Sequence, residues 1–168
     1  HSSPAYLFWW IFFFSTATVG FSFSLAAIFS KAKLAAIIGP MALFATVLPR
    51  FIFFGYNRYE AATAKKFASL LPATAFSFGA DIVADYEYAE QGIQSWNADE
   101  GDYSFNTSIG FLFFDTLLYM LLGWYLDQTV PREYGSARPV WFLCSPSFWC
   151  SWFQPLLQPK QRRANSHN

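Results

Sequence analysis

The residues of this sequence best placed to do chemistry are Asp115 and Tyr119, which stand inside an apolar stretch. The stretch runs from Ile109 to Gln128 and reads IGFLFFDTLLYMLLGWYLDQ, with no charge other than Asp115 before Asp127. A carboxyl group inside a lipid-crossing helix is costly, which makes it a candidate functional group by default. On a helix, Tyr119 follows Asp115 on the same face, and we expect its hydroxyl to reach back toward the carboxylate.

Two roles are open for Asp115. The residue either fastens its helix to neighbouring helices near the outer end of the span, or takes part directly in a substrate or ion path. Gly123 follows on the same face, where the missing side chain predicts a notch for a neighbouring helix.

The composition favours a membrane protein. Of the 168 residues, 54% are hydrophobic and only 13% are charged, whereas soluble domains carry about 25% charged residues. We therefore predict an integral, multi-pass membrane protein built only from helices. The net charge is zero, so nothing indicates a nucleic-acid partner.

Three segments are long and apolar enough to cross a bilayer. The predicted spans cover about residues 5–29, 34–56 and 109–127. Lys31 and Lys33 lie in the short turn between the first two spans and place that turn on the cytoplasmic side. The region from 129 to 168 is then predicted to be a cytoplasmic linker and a disordered tail.

Arg50 follows Pro49 near the outer end of the second span. Its guanidinium is expected either to extend to the outer interface or to contact a substrate headgroup. After it, residues 64–90 contain an apolar run too short to span and then an amphipathic run. They predict an outer hairpin of two short helices that dips into the membrane; an amphipathic surface helix is the alternative. Asn106 begins the triplet Asn-Thr-Ser, a candidate glycosylation site.

Motifs for enzyme chemistry are not recognised in the sequence. It has no phosphate-binding loop of the form G-x-x-x-x-G-K-[ST], no G-x-S-x-G and no H-E-x-x-H. Cys144 and Cys150 have no histidine nearby, and neither histidine lies in a predicted span. We assign no catalytic, cofactor-binding or metal-binding residue, and predict that the chain by itself is not an enzyme.

Four runs, which follow one another in the expected order, resemble the A subfamily of ABC transporters. They are ASLLPATAFSFG (Ala68 to Gly79), EQGIQSWN (Glu90 to Asn97), FNTSIGFLFFDTLLYMLLGWYLDQTVPREYG (Phe105 to Gly135) and RPVWFLCSPSFW (Arg138 to Trp149). The core FDTLLY, which contains Asp115 and Tyr119, is the part most specific to that subfamily.

The resemblance implies the C-terminal part of a transmembrane domain, with its last three spans and a short extracellular re-entrant helical hairpin. It implies ATP-driven movement of lipids, with ATP and Mg²⁺ held by a nucleotide-binding domain that this sequence does not include. The implied partners are membrane lipids, the remaining transmembrane helices and that domain. The alternative is a truncated, non-transporting module that packs with other transmembrane helices.

Overall fold

The computed structural model describes residues 2–29, 32–55 and 60–130, and within them every regular element is a helix. The six helices are α1 (Pro4–Ile28), α2 (Ala32–Ala45), α3 (Leu48–Ile52), α4 (Ala62–Ala68), α5 (Pro72–Tyr88) and α6 (Phe105–Thr129). The prediction of an all-helical fold is confirmed for this part of the chain. Lys31 and the predicted linker and tail from residue 131 onward lie outside the described residues.

Within the described residues, three segments are long and apolar enough to cross a membrane. They are Pro4–Ile28, Lys33–Ile52 and Phe105–Thr129. The second consists of α2 and α3, which are separated by a short break before Pro49. Helix α6 is capped by Ser104, the residue before its first turn, whose side chain accepts a hydrogen bond from the backbone N–H of Thr107 at 3.1 Å.

Helices α1 and α6 pack side by side and run in the same direction. The residues in contact have increasing numbers along both helices. The ring centroids of Phe13 and Phe113 are 5.4 Å apart, and those of Phe21 and Tyr119 are 5.2 Å apart. Farther along, Gly123 faces Phe23 so closely that a Cβ atom would overlap the phenyl ring. The predicted notch at Gly123 is therefore present, and small residues bring the two backbones together, as is usual in lipid.

Helices α4 and α5 form a hairpin whose second arm runs antiparallel to α6. The Ser108 hydroxyl donates to the Ala75 carbonyl at 2.8 Å, and the Tyr119 hydroxyl donates to the Leu70 carbonyl at 2.9 Å. Leu70 belongs to the turn between α4 and α5. At 1.5 Å per residue, Tyr119 lies roughly 21 Å from the start of α6, so the turn reaches the middle of a spanning helix. This position favours a dipping hairpin over a surface helix.

A buried aromatic cluster joins the hairpin to α1 and α6. The Trp10 ring stacks on Phe76 at 4.2 Å and touches Phe105 at 5.6 Å. The loop between α5 and α6 closes over this end, where the Ser3 N–H donates to the Ile93 carbonyl at 2.7 Å. The hairpin is thus held against the start of both long helices.

Candidate functional site

Asp115 lies on the buried face of α6 and its side chain is 0% exposed. Neither carboxylate oxygen has a hydrogen-bond partner among the described residues. The expectation that the Tyr119 hydroxyl reaches back to this carboxylate is wrong, because that hydroxyl donates to the Leu70 carbonyl. Leu70 lies in the turn that follows α4, where carbonyls near a helix end have no partner within the helix, so the turn supplies a competing acceptor.

The burial of Asp115 without a partner leads to a prediction about two substitutions. An ionised carboxylate without a partner is costly to bury, so we expect Asp115→Asn to keep at least the wild-type stability. Asp115→Ala leaves a small void and should cost about 1–2 kcal/mol. Thermal unfolding of the detergent-solubilised protein measures both. A normal unfolding temperature with an altered profile of transported lipids in Asp115→Ala would instead place the carboxyl in a substrate path.

Arg50 joins α3 to α5 through a bidentate ion pair with Asp81. Its Nε lies 2.6 Å from Oδ2, and one terminal nitrogen donates to Oδ1 at 2.7 Å. The pair is only partly shielded, since the two side chains are 21% and 45% exposed. A planar guanidinium matches a carboxylate in this geometry, which fixes the angle between the two helices as well as the distance.

Lys65 is a second cation at this place, and no sequence pattern predicts its burial. It lies on α4, is 4% exposed, and its ammonium stands 6.0 Å from the centroid of the Phe78 ring. Burial lowers the pKa of the Lys65 amine, while the carboxylates of Glu60 and Asp81 oppose that shift. Lys66, its neighbour in sequence, is exposed instead.

A cavity of about 250 Å³ lies between α3, α4 and α5, with both cations in its wall. Its other charged lining residues are Asp81 and Asp85, and its apolar wall includes Phe53, Phe78 and Tyr103. Burial raises the pKa of the Tyr103 hydroxyl, which lies 2.6 Å from the Ser69 hydroxyl. Two positive and two negative groups make the wall neutral overall, and this suits a ligand that carries both signs.

Asn106 occupies the second position of α6 and its side chain is exposed. Its backbone N–H donates to the Ala98 carbonyl at 3.0 Å. Ser108, the third residue of the triplet, is buried and bonded to Ala75. Glycosylation of Asn106 stays a prediction. Among the described residues, no group of three histidine, cysteine or acidic side chains is placed to hold a metal ion.

Comparison with known proteins relates the chain to lipid transporters. It is 38% identical over 154 residues to the human retinal-specific phospholipid-transporting ATPase ABCA4, covering 89% of this chain and 7% of that protein. It is 31% identical over 156 residues to human phospholipid-transporting ATPase ABCA3, covering 89% and 9% respectively. It is 35% identical over 154 residues to human phospholipid-transporting ATPase ABCA7, covering 89% of this chain and 7% of that protein. No family model matches the chain.

The chain is homologous to the A-subfamily ABC transporters. The resemblance drawn from its sequence runs is thereby confirmed. It is an integral, multi-pass membrane protein, and it spans less than a tenth of the length of these relatives. The large apolar side chains exposed on α1, α2 and α6 are consistent with this homology, because such surfaces meet lipid or other helices in a bilayer.

Proposed function

We propose that this chain forms part of the transmembrane domain of an ATP-driven transporter that moves phospholipids across or out of the membrane. The observation that carries the proposal is its 38% identity, over 89% of its length, to a protein named as a phospholipid-transporting ATPase. ATP and Mg²⁺ would be held by a nucleotide-binding domain in another part of the protein. The chain's own share of the work is to shape the lipid path and to change shape when that domain acts.

Within this function, we assign the polar cavity to the lipid headgroup. Arg50 and Lys65 offer two cations for a phosphate, and Asp85 offers a carboxylate at the same cavity. Charged groups beside apolar helices are retained where a polar ligand passes, since their burial is otherwise expensive. In this proposal the α4–α5 hairpin lies on the extracellular side, and Arg50 contacts the headgroup instead of extending freely to the interface.

A second candidate function is a membrane module that packs with other helices without transporting. Helices α2 and α3 support it, because their large apolar side chains are mostly exposed in the described chain. The exposed ones are Leu34, Ile37, Met41, Phe44, Leu48, Phe51 and Ile52. These side chains also suit contact with the remaining transmembrane helices of a full transporter, so they do not separate the two functions.

A measurement of ATP-dependent lipid movement distinguishes the transporter from the packing module. The intact protein that contains this sequence would be reconstituted into vesicles, and movement of a headgroup-labelled phospholipid between leaflets would be measured. We expect movement with ATP and Mg²⁺, and only the background rate with a non-hydrolysable ATP analogue. A folded, reconstituted protein that neither hydrolyses ATP nor moves lipid would refute the transporter and favour the packing module.

A further inference from the structure

A second, mostly apolar groove of about 470 Å³ lies between α4 and α6, away from the polar cavity. It is lined by Thr63, Lys66, Phe67, Leu70, Phe111 and Phe114. Among the described residues that line it, Lys66 is the only charged one, and none of them carries a carboxylate. The groove therefore combines an apolar floor with one exposed cation.

The depth of the groove follows from the contacts of the hairpin turn. Leu70 is tied to Tyr119, in the middle of α6, while Phe111 and Phe114 lie about two turns from the start of that helix. Helix α6 is 25 residues long, or roughly 37 Å, and is therefore longer than the ~30 Å hydrocarbon layer is thick. The aromatic walls consequently lie in the upper hydrocarbon layer.

Lys66 stands one helical turn before Leu70, nearer the level at which α6 begins. Its long apolar stem can follow the groove wall while the ammonium extends toward the polar headgroup region. With its ammonium in the headgroup region and the apolar rings deeper in the layer, the groove would match the order of groups along a phospholipid, in which a phosphodiester precedes the acyl chains.

We infer that this groove holds a membrane phospholipid as a resident lipid, with its phosphodiester at the Lys66 ammonium and an acyl chain against Phe67, Leu70 and Phe114. Charge complementarity selects this occupant, because a sterol or a diacylglycerol would leave the cation unmatched. The lipid fills the space between hairpin and span and is not cargo. The inference goes beyond the proposed transport function and does not depend on it.

Retained lipid is the direct test. The intact protein would be purified without ATP, and bound phospholipid would be counted by mass spectrometry. Leu70→Trp fills the groove and should lower the count for this site at least tenfold. Leu118→Trp is the matched control, since Leu118 is also 38% exposed but lies on α6 outside the groove, and it should change nothing. Equal retention in wild type and Leu70→Trp would overturn the inference.

The role of the Lys66 charge is tested with a second variant, so that the inference can still be tested if Leu70→Trp does not fold. Lys66→Gln should weaken retention of phospholipid about fivefold and abolish its preference over a diacylglycerol with the same acyl chains. Lys33→Gln, on the exposed side of α2, should leave both unchanged. Equal binding of both lipids by the wild type would refute the resident phospholipid. So would cross-linking of the Phe114→Cys variant to another transmembrane helix. Retention without ATP-driven movement would refute only the transport function.

Discussion

Gly123→Leu is expected to destabilise the chain by about 3 kcal/mol, at the upper end of overpacking costs. A Cβ atom at this position would overlap the Phe23 ring and would lie 3.1 Å from the Ser24 backbone nitrogen. The backbone cannot move aside without loosening the bond of 2.6 Å that the Ser24 hydroxyl donates to the Tyr119 carbonyl. Thermal unfolding of the detergent-solubilised protein, followed by size-exclusion chromatography, should show a lower transition temperature.

Gly110→Leu is the matched control, because Gly110 belongs to the same helix and has nothing within 4 Å of a built Cβ atom. It should be neutral, or stabilising by a few tenths of a kcal/mol, since leucine favours helix over glycine. Phe23→Ala combined with Gly123→Leu should recover part of the loss by giving the new side chain room. Equal destabilisation at positions 110 and 123 would show that helix packing at Gly123 is not the cause.

Local sequence properties predicted the parts of the fold that depend on them. The spans around α1 and α6 are visible as uncharged apolar runs, and Gly123 is recognisable because small residues in such runs favour close packing. The role of Tyr119 was not predictable in the same way. Its hydroxyl had two acceptors within reach, Asp115 on its own helix and a carbonyl from the hairpin turn, and only the tertiary fold places the second one beside it.

The polar cavity could not be predicted for a related reason. Arg50 and Asp81 are 31 residues apart in sequence, and no periodic pattern links them. Lys65 and Lys66 are adjacent and identical, yet one is buried beside Phe78 and the other is exposed beside Phe67. Which lysine faces inward depends on how α4 is rotated about its own axis against α5 and α6. The pattern of a helix only seven residues long does not determine that rotation.

Breaking the Arg50–Asp81 pair is expected to impair transport and stability together, whereas exchanging its charges should separate the two. Asp81→Asn leaves the guanidinium without its carboxylate. Because both side chains are partly exposed, we expect a loss of about 1–2 kcal/mol, less than for a fully buried pair. Asp85→Asn, one turn farther along α5, removes an exposed acid from the same cavity and should cost little stability.

The exchanged protein, Arg50→Asp with Asp81→Arg, restores an ion pair but moves the cation from α3 to α5. If the pair only fixes the helix angle, both the unfolding temperature and ATP-driven phospholipid movement should return toward wild type. If Arg50 also binds the headgroup, as we propose, stability should recover while the transport rate stays at least tenfold low, because the cation has moved away from the phosphate. Recovery of both would rule out the headgroup role and leave the pair as a brace between α3 and α5.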